Sequence, residues 1–197
     1  MRNRSVRGFV TVAAALFTTS IVLGGVRAER LSFVPWKVLD HAEAPSPSLL
    51  ALYWIPASPD DLKRSDLVTS PVLLGYAARC VSMQVIRIDD GDRIERFGAR
   101  GQLPAAVLTD PHGVVVSRIT SQEGRPLTAG EVETMVRDAI DTREVACERM
   151  LDSANKLVER GDHDGAGVLY RRVVEQRCAF PRLAKEAQRA LKKIERR

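Results

Sequence analysis

Apolar runs broken by proline and glycine turns divide the middle of the chain into strands. The continuous run over residues 49–54 is typical of a strand that is covered on both faces. Residues 83–89 predict a second strand. Residues 105–109 and 114–119 flank the turn sequence Asp-Pro-His-Gly at 110–113, so these two runs predict an antiparallel hairpin.

Helix signals alternate with these strands. Ser70 followed by Pro71 is a favourable N-cap and first helical position, and the pair predicts a helix start. Residues 92–97 predict a short second helix. Thr128 and Glu131 form the pattern of a capping box, which predicts the start of a longer helix. The order strand, helix, strand, hairpin, helix predicts an α/β sandwich.

The C-terminal part of the chain has a helical pattern. Two amphipathic stretches are separated by the glycine-flanked turn at residues 161–165, and Pro181 begins a third stretch with apolar residues at helical spacing. Residues 171–197 hold ten Lys or Arg against three Glu. This excess of basic residues is explained by a helix face exposed to solvent. The alternative is that the basic residues contact an acidic partner or a membrane surface.

The N-terminus has the composition of an export signal. Arg2, Arg4 and Arg7 precede the 19 uncharged residues 8–26, and small residues follow at a spacing typical of cleavage sites. We interpret residues 1–28 as a signal peptide, or as an N-terminal membrane anchor if it is not cleaved. The protein is then expected to be periplasmic or secreted, or alternatively anchored to the inner membrane through residues 8–26.

Removal of this leader changes the charge of the chain. The formal net charge of the whole chain is +5, but four of its Arg lie within residues 1–28, so the remainder is close to +1. A near-neutral chain lacks the electrostatic support on which nucleic-acid binding depends. We therefore expect no nucleic-acid partner. Residues 29–47, rich in proline and serine, are interpreted as a linker with one short element around Phe33–Leu39.

The sequence around the first strand resembles the thioredoxin family. Residues 53–61, Tyr-Trp-Ile-Pro-Ala-Ser-Pro-Asp-Asp, are similar to the family's Phe/Tyr-Trp-x-x-Trp leading into Cys-x-x-Cys. Residues 89–104 are similar to its Asp, short helix, Tyr/Phe-Gly and cis-proline, with one extra residue before Pro104. The resemblance covers roughly residues 48–142 and implies an α/β, thioredoxin-like three-layer sandwich.

The family's reactive residues are replaced in this chain. Ser58 and Asp61 stand at the two cysteine positions, and Leu52 replaces the family's buried acid. Disulfide exchange requires an attacking thiolate, which a serine hydroxyl does not supply. The resemblance therefore implies a scaffold without redox activity and without catalytic residues at this site.

The family's proline is retained. By resemblance, Leu103-Pro104 would be a cis peptide beside a binding groove, so the predicted binding residues are Trp54, Ser58, Leu103 and Pro104. A trans proline that begins an edge strand is the alternative interpretation.

The helical pair after the sandwich resembles a tetratricopeptide repeat. Residues 161–166, Gly-Asp-His-Asp-Gly-Ala, followed by Tyr170 and Val173, are similar to that repeat's Gly-Asp-Tyr-x-x-Ala and the aromatic and small residues after it. The resemblance implies a helical hairpin with a capping helix over residues 143–197. Because stable arrays need about three repeats, this unit would have to pack on the sandwich or on another chain.

The three cysteines suggest one disulfide and one remaining thiol. Cys147 and Cys178 are equidistant from the turn at 161–165, and equidistant residues of an antiparallel helix pair face each other, so we predict a Cys147–Cys178 disulfide. Two reduced cysteines, or pairing with Cys80, are the alternatives. Cys80 is interpreted as a packed, inert thiol, or otherwise as a single-thiol exchange centre.

These patterns favour an exported, redox-inactive protein that binds other proteins of the cell envelope. An enzyme that performs thiol-disulfide exchange at Cys80 is one alternative. A structural subunit tethered to the membrane by residues 8–26 and by the basic C-terminal helix is another. No histidine has the spacing of a metal ligand and the sequence contains no phosphate-binding loop, so we expect neither a metal nor a cofactor.

Overall fold

The central element of the computed structural model is a mixed sheet. The structure describes residues 33–40, 49–121 and 125–196, and these residues belong to one compact unit. In the described ranges five strands lie in the order β1-β3-β2-β4-β5. β1 and β2 run parallel to β3, whereas β4 is antiparallel to β2 and to β5. The strands are β1 (Lys37–Val38), β2 (Leu50–Ile55), β3 (Val81–Val85), β4 (Ala105–Thr109) and β5 (Val115–Thr120).

Six α-helices and one 3-10 turn (Asp66–Val68) accompany the sheet in the same part of the chain. Together with the strands they give a mixed α/β fold, compatible with a thioredoxin-like fold that carries a helical extension. The predicted order of strand, helix, strand, hairpin and helix is confirmed. The helices are α1 (Asp61–Arg64), α2 (Pro71–Ala77), α3 (Gly91–Arg96), α4 (Ala129–Glu159), α5 (His163–Glu175) and α6 (Pro181–Ile194).

Both faces of the sheet are covered, as the continuous apolar run predicted. All six residues of β2 are buried. Successive side chains of a strand point to opposite faces, and here Trp54 belongs to the core shared with α2 and α4 while Tyr53 belongs to the core shared with α3. The sheet therefore separates two apolar clusters.

Part of the predicted linker is built into the first of these cores. Lys37–Val38 pairs with β3, and the Trp36 indole N–H donates a hydrogen bond to the Leu67 carbonyl oxygen at 3.1 Å. The Trp36 ring meets the Trp54 ring edge-on, with 5.5 Å between the ring centroids. This segment therefore helps to fix the residues that precede α2.

Several predicted segments lie outside the described residues. They are the leader at 1–28, with the anchor proposed at 8–26, and the linker residues 29–32 and 41–47. Of the helices that the structure does describe, none combines the length and the apolar character needed to cross a membrane.

The second long strand ends earlier than its sequence pattern indicates. The prediction was residues 83–89, but β3 spans Val81–Val85. Arg87 and Asp89 have left the sheet, are exposed and form an ion pair with 2.8 Å between Nη2 and Oδ2. Asp90 then caps α3 by accepting the Arg93 N–H. The alternation of apolar residues continues past the last strand pairing, which explains the error.

The longest helix, α4, begins at the predicted capping box. The Thr128 hydroxyl oxygen accepts the Glu131 N–H, and the Glu131 carboxylate accepts the Thr128 N–H in return. The helix continues without a break through residue 142, which the sequence analysis assigned as the end of the sandwich. Its first part contacts β5, and its last part pairs with α5, where the Tyr170 hydroxyl donates to Asn155 Oδ1 at 2.6 Å.

We expect Thr128→Ala to lower the free energy of unfolding by about 1 kcal/mol at neutral pH, because the first turn of α4 loses its cap. Hydrogen bonds from the Thr128 backbone and hydroxyl also hold the pKa of the Glu131 carboxyl below its usual value. A lowered carboxyl pKa stabilises the fold above the unfolded-state pKa and loses its contribution as the pH falls through the folded-state pKa. The difference in the free energy of unfolding between wild type and variant should therefore be smaller at acidic pH. Urea denaturation at two pH values would measure it.

Thr142→Ala is the matched control for this variant. Thr142 is an exposed threonine of the same helix whose hydroxyl donates only to the Asp138 carbonyl oxygen of the previous turn. We expect its loss to stay within about 0.5 kcal/mol. Equal losses for the two variants would contradict the assignment of a stabilising cap at Thr128.

The cysteine pairing differs from the prediction. Cys80 and Cys178 form a disulfide with their Cα atoms 5.9 Å apart, and Cys147 is a buried free cysteine. The predicted Cys147–Cys178 bridge is therefore wrong, and the alternative pairing with Cys80 is the one present. Two cysteines equidistant from the turn face each other only if both helices extend to them. α5 ends at Glu175, so Cys178 lies in the turn before α6 and does not face α4.

The C-terminal helices follow the predicted arrangement of a hairpin and a third helix. Gly161 makes the turn between α4 and α5 with a φ of 82°, a left-handed conformation that favours glycine. Pro181 occupies the first turn of α6, which packs on α5 and, to a smaller extent, on α4. The three helices share one apolar core with the adjoining face of the sheet.

Candidate functional site

A tight turn follows β2, and the carboxylate of Asp61 holds it in place. Asp61 Oδ2 accepts the backbone N–H groups of Ala57 at 2.8 Å and of Ser58 at 3.1 Å, and Oδ1 accepts the Ser58 hydroxyl at 3.1 Å. The Ser58 and Asp61 side chains, which the resemblance aligns with two cysteines, are therefore in contact. Their contact is a hydrogen bond that orders the turn, and it offers no thiolate.

The peptide bond between Leu103 and Pro104 is cis, as the resemblance implied. The alternative of a trans proline at an edge strand is wrong, because β4 lies between β2 and β5. Ala105, the first residue of β4, pairs with Ile55, the last residue of β2. Pro104 and the turn after β2 therefore meet at one end of the sheet.

A groove of about 410 Å³ opens at this end of the sheet. Trp54, Asp61 and Pro104 line one part of it. The remaining lining residues come from the segment around the 3-10 turn and from the start of α4. They are Arg64, Ser65, Asp66, Pro126, Leu127 and Thr128.

Three of the four predicted binding residues are thus brought together. Trp54 and Pro104 line the groove directly, and Ser58 adjoins it through its hydrogen bonds to Asp61. Leu103 does not join them, because it packs against the core on the α3 side of the sheet. A one-residue step along an extended chain is enough to send neighbouring side chains to opposite faces.

The far wall of the groove was not found by sequence reasoning. Asp66 accepts the Ala129 N–H with both carboxylate oxygens at 3.0 Å, although 63 residues separate the two positions. Ser70 donates its hydroxyl to Glu133 Oε1 at 2.6 Å over the same sequence distance. These contacts hold the start of α4 beside the 3-10 turn. The capping box at Thr128, which marks the start of α4, was the only local sequence pattern that pointed to this wall.

The groove combines charged and apolar side chains. Arg64 is an exposed cation, the Asp61 carboxylate is occupied by the turn, and the Trp54 and Pro104 side chains that line the groove are buried. On the other face of the sheet, burial raises the pKa of the Tyr53 phenol above its usual value. The described side chains that line the groove include no cysteine and no histidine.

The sulfur atoms lie elsewhere in the molecule. Cys80 directly precedes β3, whose first residue Val81 pairs with Leu50 at the start of β2, whereas Ser58 follows the end of β2. A six-residue strand separates its two ends by roughly 17 Å. Cys80 is bonded to Cys178 and so presents no free thiol in this state.

Cys147, the remaining thiol, is buried in the helical part, and burial raises its pKa above the usual value. A thiol with a raised pKa is protonated at neutral pH and therefore a poor nucleophile. Neither Cys80 nor Cys147 thus presents a thiolate to the groove. The described residues also contain no group of three or more His, Cys, Asp or Glu side chains placed to hold a metal ion.

No protein-family model matches the chain, and no curated protein is significantly similar to it.

Proposed function

We propose that this protein is an exported, redox-inactive thioredoxin-like protein that binds other proteins of the cell envelope. The single observation that carries the proposal is the groove in which Trp54, Asp61 and Pro104 meet beside Ser58. It occupies the place where the resemblance implies substrate contact. The described residues that line it include no cysteine, and disulfide exchange with a bound substrate would require one.

The thioredoxin-like assignment is supported by topology as well as by sequence. The strand order, the parallel pairing of β2 with β3 and the antiparallel hairpin of β4 and β5 suit that fold. The cis peptide before β4 lies opposite the turn after β2, as the resemblance implied. The α4–α5 hairpin with α6 suits the tetratricopeptide-like extension that residues 143–197 suggest.

Export is supported by two independent features. The basic and then uncharged N-terminal sequence has the composition of a secretion signal. The Cys80–Cys178 disulfide fits an oxidising compartment, since disulfides persist in secreted and periplasmic proteins and are rare in reducing ones.

We expect the wild-type protein not to accelerate insulin reduction by dithiothreitol, and Ser58→Cys/Asp61→Cys to do so. This double substitution restores the missing pair at the family spacing beside Pro104, so it should raise the rate at least about tenfold if the scaffold is thioredoxin-like. Thr142→Cys/Val145→Cys is the control, with two cysteines at the same spacing on an exposed part of α4. Activity in wild type, or equal rates for the two variants, would contradict the assignment.

Protein binding is tested separately by photocrosslinking in intact cells. A photoreactive residue at Arg64, which is exposed at the groove, should yield a discrete adduct with an envelope protein. The same residue at Arg149, exposed on α4, should not. When the photoreactive residue is at position 64 of the Asp66→Ala variant, the yield of the adduct should fall. This variant lacks the hydrogen bond from the Ala129 N–H that holds the groove wall. Absence of any adduct specific to Arg64 would contradict a docking role for the groove.

A further inference from the structure

The outer face of α6 carries a continuous stripe of positive charge. With 3.6 residues per turn, five of its cations fall within a sector of about 100°, and no acidic residue lies between them. All five are exposed. The stripe consists of Arg182, Lys185, Arg189, Lys192 and Lys193.

These cations differ from those of an ordinary solvated helix. Exposed helices commonly place Glu four residues before Lys, which gives stabilising pairs within the helix. The described part of the chain shows no ion pair of any stripe residue with a carboxylate, and Glu186 of the same helix lies outside the sector. The stripe therefore leaves its charge available for a partner.

The opposite face of α6 is already occupied. Leu183, Ala184 and Ala187 are buried, and the helix packs on α5 and α4. The apolar face cannot enter a lipid bilayer while the fold is intact, so contact through the stripe must be electrostatic. Residues 29–170 carry a net charge of −6, so the excess positive charge after the leader is concentrated in the C-terminal part of the sequence.

We propose that the α6 stripe docks the protein on an anionic lipid bilayer surface. The sector contains no apolar side chain, whereas the fully buried core of a protein interface is depleted in charge and rich in apolar groups. A layer of anionic headgroups requires only charge, which the stripe supplies. The predicted N-terminal leader would bring the chain to a membrane in the first place.

The test is sedimentation of the full chain with vesicles of two compositions. Vesicles of neutral phosphatidylcholine measure binding through the leader, and vesicles with about one third phosphatidylglycerol add the electrostatic contribution. We expect the anionic vesicles to bind at least about 20-fold more tightly in dilute buffer. Near 1 M salt, where the screening length falls to about 3 Å, this advantage should disappear.

Two matched variants separate the stripe from general charge. Lys185→Gln/Lys192→Gln removes two stripe cations seven residues apart, and Arg149→Gln/Lys156→Gln removes two exposed cations at the same spacing on α4. At about fivefold per cation, the first pair should weaken anionic binding on the order of 20-fold and the second by little. Circular dichroism should show both variants folded.

Two outcomes would overturn the proposal. One is an equal loss for the two variants, which would assign the binding to net charge alone. The other is a stripe-dependent complex with polyglutamate or RNA in the absence of binding to anionic vesicles, which would assign the stripe to an acidic protein or a nucleic acid.

Discussion

Removal of the Cys80–Cys178 disulfide is expected to lower the free energy of unfolding by about 4–5 kcal/mol. The bridge joins residues 98 positions apart, and on the chain-entropy estimate a loop of roughly 100 residues gives about 4.7 kcal/mol at 25 °C. It connects the segment between α2 and β3 to the turn between α5 and α6. Its loss therefore removes a constraint on the conformations of the unfolded chain along about half of its length.

Urea denaturation of Cys80→Ser, Cys178→Ser and the double variant measures this effect. All three variants should show the same decrease in the free energy of unfolding, because each lacks the same bond. Reduction of the wild type should cause an equal decrease. Cys147→Ala is the control: it removes a buried thiol outside the bridge, so it should cost only about 1 kcal/mol and leave the effect of reductant unchanged. A double variant within about 1 kcal/mol of wild type would contradict a stabilising bridge.

Trp54→Ala is expected to cost about 3–5 kcal/mol, the range for truncation of a large core aromatic residue. Trp54 is 2% exposed, lies in the central strand and packs against Trp36. Its removal would leave a cavity under the groove as well as an unpaired Trp36 ring. Urea denaturation followed by far-UV circular dichroism measures the loss, and the absence of a cooperative transition would mean that the loss exceeds the total stability.

Trp36→Ala provides the comparison for this variant. Trp36 is only partly buried and contributes one indole hydrogen bond to the Leu67 carbonyl oxygen. We expect a smaller loss, of about 1–3 kcal/mol. Trp54→Phe, which keeps an aromatic ring in the core, should also lose less than Trp54→Ala. If Trp54→Ala were the mildest of the three, the side chain would belong to the surface and not to the core.

The features predicted correctly from sequence are those encoded by neighbouring residues. The capping box at Thr128, the turn at residues 110–113 and the start of α2 at Ser70 each depend on a hydrogen bond that spans only a few positions. The continuous apolar run of β2 required only that both faces of a strand be buried. Local chemistry was sufficient in each case.

The features that escaped prediction depend on tertiary contacts. The pairing of Cys80 with Cys178 follows from where α5 ends and how the helices return to the sheet, and no spacing rule encodes either. The wall of the groove at Asp66 exists because that carboxylate reaches Ala129 across the fold. The cis bond at Pro104 was expected through family resemblance alone, since the residues around it do not specify it.

The uninterrupted course of α4 restricts how the length of this chain can change in evolution. Adding or deleting one residue near position 142 would turn everything beyond it by about 100° and shift it by about 1.5 Å along the helix axis. α5 would then present the wrong side to its neighbours, and Cys178 would be carried away from Cys80. We therefore expect insertions and deletions to occur in the surface loops, and the number of residues in α4 to stay the same.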